Sequence, residues 1–189
     1  MSDYVDSYLT ELEQVIRNMP RPDILAVVDA LETAWREGRQ VFLIGNGGSA
    51  ATASHMMNDL NKLTIVPGQP RMRALALTDN VPLMTAWGND AAYDDVFVEP
   101  LLNFMRRGDV VIAISTSGNS PNVVKAVRAA NEHGLKTIGF VGADGGQLAG
   151  IADLVIRIPS PLIGQQEDGH MILDHVIAGA LRERIKGAE

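Results

Sequence analysis

The sequence predicts an α/β fold, a doubly wound, five-stranded parallel sheet with extra helices at the N-terminus. From residue 40 onward, short apolar runs alternate with longer helical patterns, as in parallel sheets that helices cover on both faces. Two of these apolar runs end in unusual turns, one rich in glycine and one rich in serine. Ligands bind such sheets beyond the carboxyl ends of the strands, so we expect a site at these turns.

Two amphipathic helices precede the predicted sheet. Residues 4–18 place apolar side chains at helical spacing, and Met19-Pro20 ends the run. A second helix is predicted from Pro22 to about Gly38. The first helix lies outside every strand–helix–strand unit, so its apolar stripe must pack on the sheet's helices or on another subunit, and we favour the subunit. We expect one domain over residues 1–189, with residues 1–38 as oligomerisation helices.

The rest of the chain alternates between strands and helices. Strands are predicted at 40–45, 72–77, 109–115, 136–141 and 153–158, and helices at about 49–61, 80–87, 94–106, 121–133 and 166–186. The predicted strands are short, apolar runs between turns, which is typical of buried parallel strands.

Composition argues against several classes of protein. With 16 Lys and Arg against 23 Asp and Glu, the formal charge is -7, which disfavours general nucleic-acid binding. The absence of cysteine rules out disulfides and thiolate metal sites, and it fits a reducing compartment. The sequence has no recognisable signal peptide and no apolar run of membrane-spanning length, so we expect a cytoplasmic protein without a membrane partner.

The first unusual turn follows the predicted strand at 40–45. Its sequence is Gly45-Asn46-Gly47-Gly48-Ser49, and a helix follows. Glycines permit a tight turn and a close approach to the backbone, and the first amides of a helix have no partner within it. Phosphate is the expected ligand. The alternative is a turn that uses glycine for its geometry alone.

The second unusual turn follows the predicted strand at 109–115. It reads Ser115-Thr116-Ser117-Gly118-Asn119-Ser120-Pro121, with Ser120 as a good N-cap and Pro121 as a good first helical residue. An ordinary cap in a polar loop is the alternative. If the two turns lie at neighbouring strand ends, their neutral amide and hydroxyl donors can bind the same phosphate.

Two pairs of metal-ligating residues lie on the helices beyond these turns. His55 and Asp59 are four residues apart on one helix face, while Glu167 and His175 are eight apart, about 80° around an ideal helix. Two imidazoles and two carboxylates form a reasonable zinc set. The alternative for His55 and Asp59 is a hydrogen bond on the helix surface.

Three other features have simpler interpretations. His170 lies four residues before Asp174, and we expect it to pair with that carboxylate, with a position in the cleft as the alternative. His133 precedes Gly134 at a predicted helix end, where a cation is favourable. Asp144-Gly145-Gly146 is interpreted as a turn, because an acidic residue at its start would repel an anion.

Taken together, these residues resemble the SIS (sugar isomerase) domain family. The resemblance rests on Gly45 to Ser49 followed by His55, on Trp87-Gly88-Asn89-Asp90, and on Ile114 to Ser120, and it covers nearly the whole chain. It implies that Ser49, Ser115, Thr116, Ser117 and Ser120 contact phosphate, and that Asn46 and Asp90 line the sugar site. It also implies that the N-terminal helices build the core of a homotetramer.

Within this family the chain looks closest to the phosphoheptose isomerase branch, whose members interconvert sedoheptulose 7-phosphate and D-glycero-D-manno-heptose 7-phosphate. Family isomerases carry His-x-x-x-Glu after the glycine turn, and a Gln followed eight residues later by His. The matching residues here are His55, Asp59, Glu167 and His175. Both histidines are kept, Glu is replaced by Asp, Gln is replaced by Glu, and a further family Asp is Gly164.

The resemblance therefore implies an isomerase with Asp59 as base, His175 as proton shuttle, and Glu167 as a metal ligand or alternative base. It implies a divalent metal, with zinc preferred, held by His55, Asp59, Glu167 and His175. The alternative is a non-catalytic module that binds a sugar phosphate or the replication initiator DnaA, because a related branch of the family binds DnaA without catalysis.

Overall fold

A computed structural model describes residues 2–188 of the chain, and a parallel sheet lies at its centre. Its strands are β1 (Gln40–Gly45), β2 (Arg73–Ala76), β3 (Val110–Ser115), β4 (Lys136–Val141) and β5 (Leu154–Arg157). The strand order is β2-β1-β3-β4-β5, and each neighbouring pair is parallel. The chain reverses its direction of winding between β1 and β3, as in doubly wound folds. The predicted fold class is confirmed.

Helices flank the sheet and precede it. They are α1 (Ser2–Arg17), α2 (Arg21–Arg36), α3 (Gly48–Lys62), α4 (Val81–Asp90), α5 (Val98–Phe104), α6 (Pro121–Glu132), α7 (Leu148–Ile151) and α8 (Ile163–Lys186). No helix within residues 2–188 is both long and apolar enough to cross a membrane.

Two of these helices differ from the sequence prediction. The helix expected at 94–106 is divided into a 3-10 turn at Tyr93–Asp95 and the shorter α5. Pro100 lies in the first turn of α5, where its missing N–H is harmless, and this position suits a helix that starts only at Val98. Helix α7 was not predicted, because a single helical turn of four residues has no measurable periodicity.

The sheet is buried on both faces. Alternate residues of β3 enter opposite cores: Ile112 and Ile114 join α2, α3 and α8, while Val111 and Ala113 join α5 and α6. Burial on both faces explains why the strands are continuous apolar runs rather than alternating ones.

The two N-terminal helices differ in burial. Helix α2 covers one face of the sheet, and its Val27, Val28 and Leu31 are fully buried. Helix α1 contributes Val15 to this core and leaves most of its other apolar side chains exposed, Leu9 among them. The exposed apolar surface of the two N-terminal helices is thus mainly on α1.

The turn after β4 braces the serine-rich turn after β3. The N–H of Gly142 donates to the carbonyl of Thr116 at 2.9 Å, and the N–H of Leu148 donates to the carbonyl of Gly118 at 2.9 Å. Gly118 has a φ of +62°, and a Cβ at this position would collide with the carbonyl of Gly145. The turn containing Gly145 is therefore a support for the serine-rich turn, which agrees with its interpretation as a plain turn.

We expect Gly118→Ala to destabilise the fold by about 2–4 kcal/mol, because it combines a positive φ with a backbone collision. Gly150→Ala is the matched control, since a Cβ there meets no atom of residues 2–188 within 4 Å apart from its chain neighbours and its own helix backbone. It should change stability by about 1 kcal/mol or less, toward greater stability. Urea unfolding at pH 7.5 measures both, and an equal effect of the two substitutions would contradict the close packing of the turns.

Candidate active site

The glycine-rich turn presents free amides at the start of α3. Gly47 has a φ of +54° and is the N-cap residue, and it offers no side chain to cap the first turn of α3. Gly45 must be a glycine because a Cβ there would overlap the backbone of Ser49, at 2.8 Å. The amides at this helix start can therefore bind an anion.

The serine-rich turn gathers three hydroxyl groups. The Oγ of Ser115 lies 3.3 Å from that of Ser120 and 3.5 Å from that of Ser117. The Ser120 side chain makes no capping hydrogen bond to α6, so its hydroxyl points into this group instead. Thr116, which follows Ser115 in the sequence, is half-buried.

The two turns are adjacent, as expected from the pairing of β1 with β3. Gly45 is opposite Ile114 in the parallel register. Asn46 and Asn122 join the turns by two reciprocal amide hydrogen bonds of 2.9 Å each, and the hydroxyl of Tyr93 donates to Asn46 Oδ1 at 3.0 Å. Neither Asn122 nor Tyr93 was identified from the sequence, because nothing local distinguishes them from surface residues.

Asp90, expected in the sugar site, lies at the last residue of α4. Its side chain is exposed and accepts a hydrogen bond from Asn89 Nδ2 at 2.7 Å. No hydrogen bond among residues 2–188 joins it to either turn.

Helices α3 and α8 bring together a group of imidazoles and carboxylates. The group consists of His55, Asp59, Asp174 and His175, each of which offers a ligand atom within 4.8 Å of the others. The two Nε2 atoms of His55 and His175 are 3.2 Å apart. His55 Nε2 lies 3.8 Å from Asp59 Oδ2 and 3.9 Å from Asp174 Oδ2. Three of the four predicted metal-site residues therefore meet.

Glu167 does not join this group. It lies against the glycine turn, where a Cβ at Gly48 would collide with its carboxylate. Glu167 and His175 were grouped because eight residues return a helix to nearly the same face, but eight residues also advance it by about 12 Å. Since α3 and α8 pack side by side, Glu167 reaches the start of α3, whereas His175 reaches His55 further along.

Asp174 was assigned to the wrong partner from the sequence. It was expected to pair with His170, but neither side chain has a hydrogen-bond partner among residues 2–188. Asp174 is fully buried, and burial raises the pKa of its carboxyl group to about 7; the charge of Asp59 acts in the same direction and His55 opposes it. An acidic residue within the buried stripe that includes Leu173 and Ile177 was the sequence signal that could have identified it.

Tyr8 connects α1 to the beginning of α8. Its hydroxyl donates to Asp168 Oδ2 at 2.6 Å, and this hydrogen bond, with help from burial, raises the pKa of Tyr8 to about 12. The same hydroxyl lies next to Gly164. Helix α1 thus approaches the candidate site at Glu167 from outside the sheet.

His170 is held neutral inside the core, beside the ring of Phe140. Burial lowers the pKa of its imidazole to about 4. The nearby backbone of Val141 acts in the opposite direction, although it makes no hydrogen bond to the ring. In the unfolded chain the pKa of His170 is near 6.5, so between about pH 6.5 and pH 4 the unfolded chain binds a proton that the folded chain does not bind. His170 therefore removes stability as the pH falls from about 6.5 to about 4.

Wild-type protein should lose free energy of unfolding as the pH falls from 7 to 4. We expect His170→Gln to reduce this loss by as much as about 3 kcal/mol. Urea unfolding at several pH values measures the slope, so a constant offset from repacking does not matter. Asn103→Gln, at an exposed position on α5, changes no titratable group, so it is the control and should keep the wild-type slope. A His170→Gln protein with an unchanged slope would show that the imidazole is not buried in its neutral form.

Comparisons with known proteins are consistent with this geometry. The SIS domain family matches residues 3–142. A phosphoheptose isomerase from Geotalea daltonii is 39% identical over 171 residues, which cover 88% of this chain and 86% of that protein. Another from Rhodospirillum rubrum is 38% identical over 164 residues, 87% of each chain.

A solved structure of similar architecture is the phosphoheptose isomerase of Neisseria gonorrhoeae. Its TM-score is 0.89 with 28% sequence identity, and the alignment covers 96% of this chain and 98% of that one. The similarity thus includes the N-terminal helices as well as the sheet.

Proposed function

This chain belongs to the SIS domain family, and we propose that it is an aldose–ketose isomerase that interconverts sedoheptulose 7-phosphate and D-glycero-D-manno-heptose 7-phosphate. The observation that carries this proposal is the similarity to phosphoheptose isomerases at 33–41% identity over most of the chain. A non-catalytic binding module is not favoured, since the relatives are named as enzymes. The lack of cysteine is consistent with the reducing cytoplasm, where we propose that the enzyme acts.

The phosphate of the sugar is proposed to bind across the two turns. The amides at Gly47, Gly48 and Ser49 would meet one side of the phosphate. The hydroxyls of Ser115, Thr116, Ser117 and Ser120 would meet the other side. With a formal charge of -7, the chain binds phosphate through neutral donors rather than an arginine cluster. Asn46 and Asp90 are proposed to line the sugar chain.

The histidine pair fits a divalent metal ion, for which we favour zinc. Two imidazole nitrogens at about 2.0–2.1 Å from a tetrahedral zinc are about 3.3 Å apart, close to the 3.2 Å between the Nε2 atoms of His55 and His175. When bound, such an ion supplies Lewis-acid polarisation of the sugar carbonyl.

The chain's own groups then move protons. We assign the base to Asp59, which takes a proton from C1 of the ketose and returns it to C2 through an enediol. The hydroxyl proton passes from O1 to O2 through solvent, so the product aldose has the same composition as the ketose. His175, expected as the shuttle, cannot carry this proton through its Nε2 while that nitrogen binds the ion. Glu167, whose carboxylate lies beside Gly48, is the alternative base.

An isomerase assay on C5 to C7 sugar phosphates in deuterium oxide tests this function. Wild-type protein should convert sedoheptulose 7-phosphate and exchange the C1 and C2 protons, as followed by NMR. Asp59→Asn should lower kcat by about 10²–10⁴-fold, the scale of general base catalysis, with Glu167→Gln affected less.

Glu132→Gln, at an exposed position on α6, is the control and should keep full activity. If Glu167→Gln abolishes turnover while Asp59→Asn does not, the base is Glu167. If metal-supplemented wild-type protein binds the sugar phosphates but exchanges no proton in any of them, the proposal is wrong and the non-catalytic alternative stands.

We also propose a homotetramer built on α1. The helix exposes Tyr4 at 70% and Leu9 at 58%. Ile16 continues this surface into an apolar groove whose other lining residues include Leu25 and Val176. An apolar surface of this extent is typical of a subunit interface.

Val5→Glu with Leu9→Glu should dissociate the tetramer, because it would place unpaired charges in a buried seam. Both side chains are exposed in the single chain, so the fold itself should persist by circular dichroism. Leu102→Glu, on an exposed apolar position of α5, is the control and should leave the assembly intact. Light scattering measures the mass, and a monomeric wild-type protein at micromolar concentration would refute this interface.

A further inference from the structure

Asp174 is a buried carboxylate for which the fold supplies no hydrogen-bond donor. Its side chain is 0% exposed, and neither oxygen has a hydrogen-bond partner among residues 2–188. Buried carboxylates are strongly unfavourable unless they are paired, protonated or bound to a metal. Asp174 is therefore either protonated or paired with a group outside residues 2–188.

The surroundings of Asp174 indicate the kind of partner. Its Oδ2 lies 3.9 Å from His55 Nε2, and its ligand atom is within 4.8 Å of those of Asp59 and His175. These distances are too long for direct bonds but suit ligands that share one ion between them. Carboxylate oxygen and imidazole nitrogen are ligands that zinc and similar divalent ions accept.

The two aspartates of the group differ in their access to a substrate. Asp59 is 15% exposed at its side chain, lines an open groove with Lys62 and Arg182, and accepts a hydrogen bond from Asn58. Asp174 has neither a polar partner nor contact with this groove. An ion can reach Asp174 from the histidines, whereas a sugar can reach Asp59.

We propose that Asp174 is a ligand of the divalent ion and takes the ligand role that the sequence assigned to Glu167. The proposal rests on the isomerase function above. His55, His175 and Asp174 then form a three-residue ligand set, which leaves a coordination position open, as catalytic zinc sites require. Asp59 stays free to act on the substrate, and Glu167 stays at the glycine turn.

Metal binding tests this without any substrate. Asp174→Asn is nearly isosteric and removes the charge, and Glu167→Gln is the matched control on the same helix. Zn²⁺ affinity is measured by calorimetry in competition with a chelator, and Co²⁺ replaces Zn²⁺ for visible absorption. Asp174→Asn should weaken Zn²⁺ binding by about 100-fold or more, because even second-shell changes cost about 10–100-fold. It should also change the Co²⁺ spectrum, while Glu167→Gln should keep both properties.

Thermal unfolding separates a ligand from a structural residue. In EDTA, Asp174→Asn should melt at or above the temperature of the wild type, because an unpaired buried carboxylate is removed. Zn²⁺ should raise the melting temperatures of the wild type and of Glu167→Gln. The increase for Asp174→Asn should be much smaller. A lower melting temperature of Asp174→Asn in EDTA would mean that Asp174 supports the fold, and would overturn the proposal.

The outcomes also distinguish this proposal from the proposed function. Wild-type protein that binds no Zn²⁺, or an Asp174→Asn protein that binds it normally, overturns the ligand role even if the isomerase is active. Loss of Zn²⁺ binding in Asp174→Asn supports the ligand role even if no sugar phosphate is isomerised.

Discussion

The parallel pairing of β1 with β3 is the constraint on which the site depends. Because neighbouring parallel strands end at the same edge of the sheet, the turns that follow them are side by side, and each leads into a helix start. The amides of one turn and the hydroxyls of the other are thereby brought to the same edge of the sheet. The amide pair of Asn46 and Asn122 holds the two turns together, and the turn after β4 supports the serine-rich turn.

The packing of α3 against α8 carries the second half of the site. Helix α3 begins at the glycine turn and presents His55 about two turns later and Asp59 about three turns later. Helix α8 runs beside it with Glu167 near its start. The proposed bases and the glycine-rich half of the proposed phosphate site are therefore positioned by the same pair of helices. A shift of one helix along the other would separate both sets of groups.

Helix α8 buries unpaired polar side chains near this site, and their burial lowers the free energy of unfolding. His170 and Asp174 both lie in the core without hydrogen-bond partners among the described residues, one held neutral and the other with a raised pKa. Such groups reduce the stability of the isolated chain. They are found where a ligand gives a buried charge its partner, which is why they concentrate near functional sites.

The sequence by itself determined the strands, the doubly wound class and the positions of the glycine-rich and serine-rich turns, because apolar runs, glycines and N-caps act within a few residues of one another. It also identified His55 and Asp59, because a spacing of four residues places both on one helix face, and it identified His175 through the family resemblance. The division of the helix at 94–106 and the links made by Asn122 and Tyr93 depend on contacts distant in sequence. Only the tertiary structure decided that Asp174 lies with the histidines while Glu167 lies at the glycine turn. Helical periodicity specifies a direction around α8, but the rise along it, and the helix packed beside it, determine which residues meet.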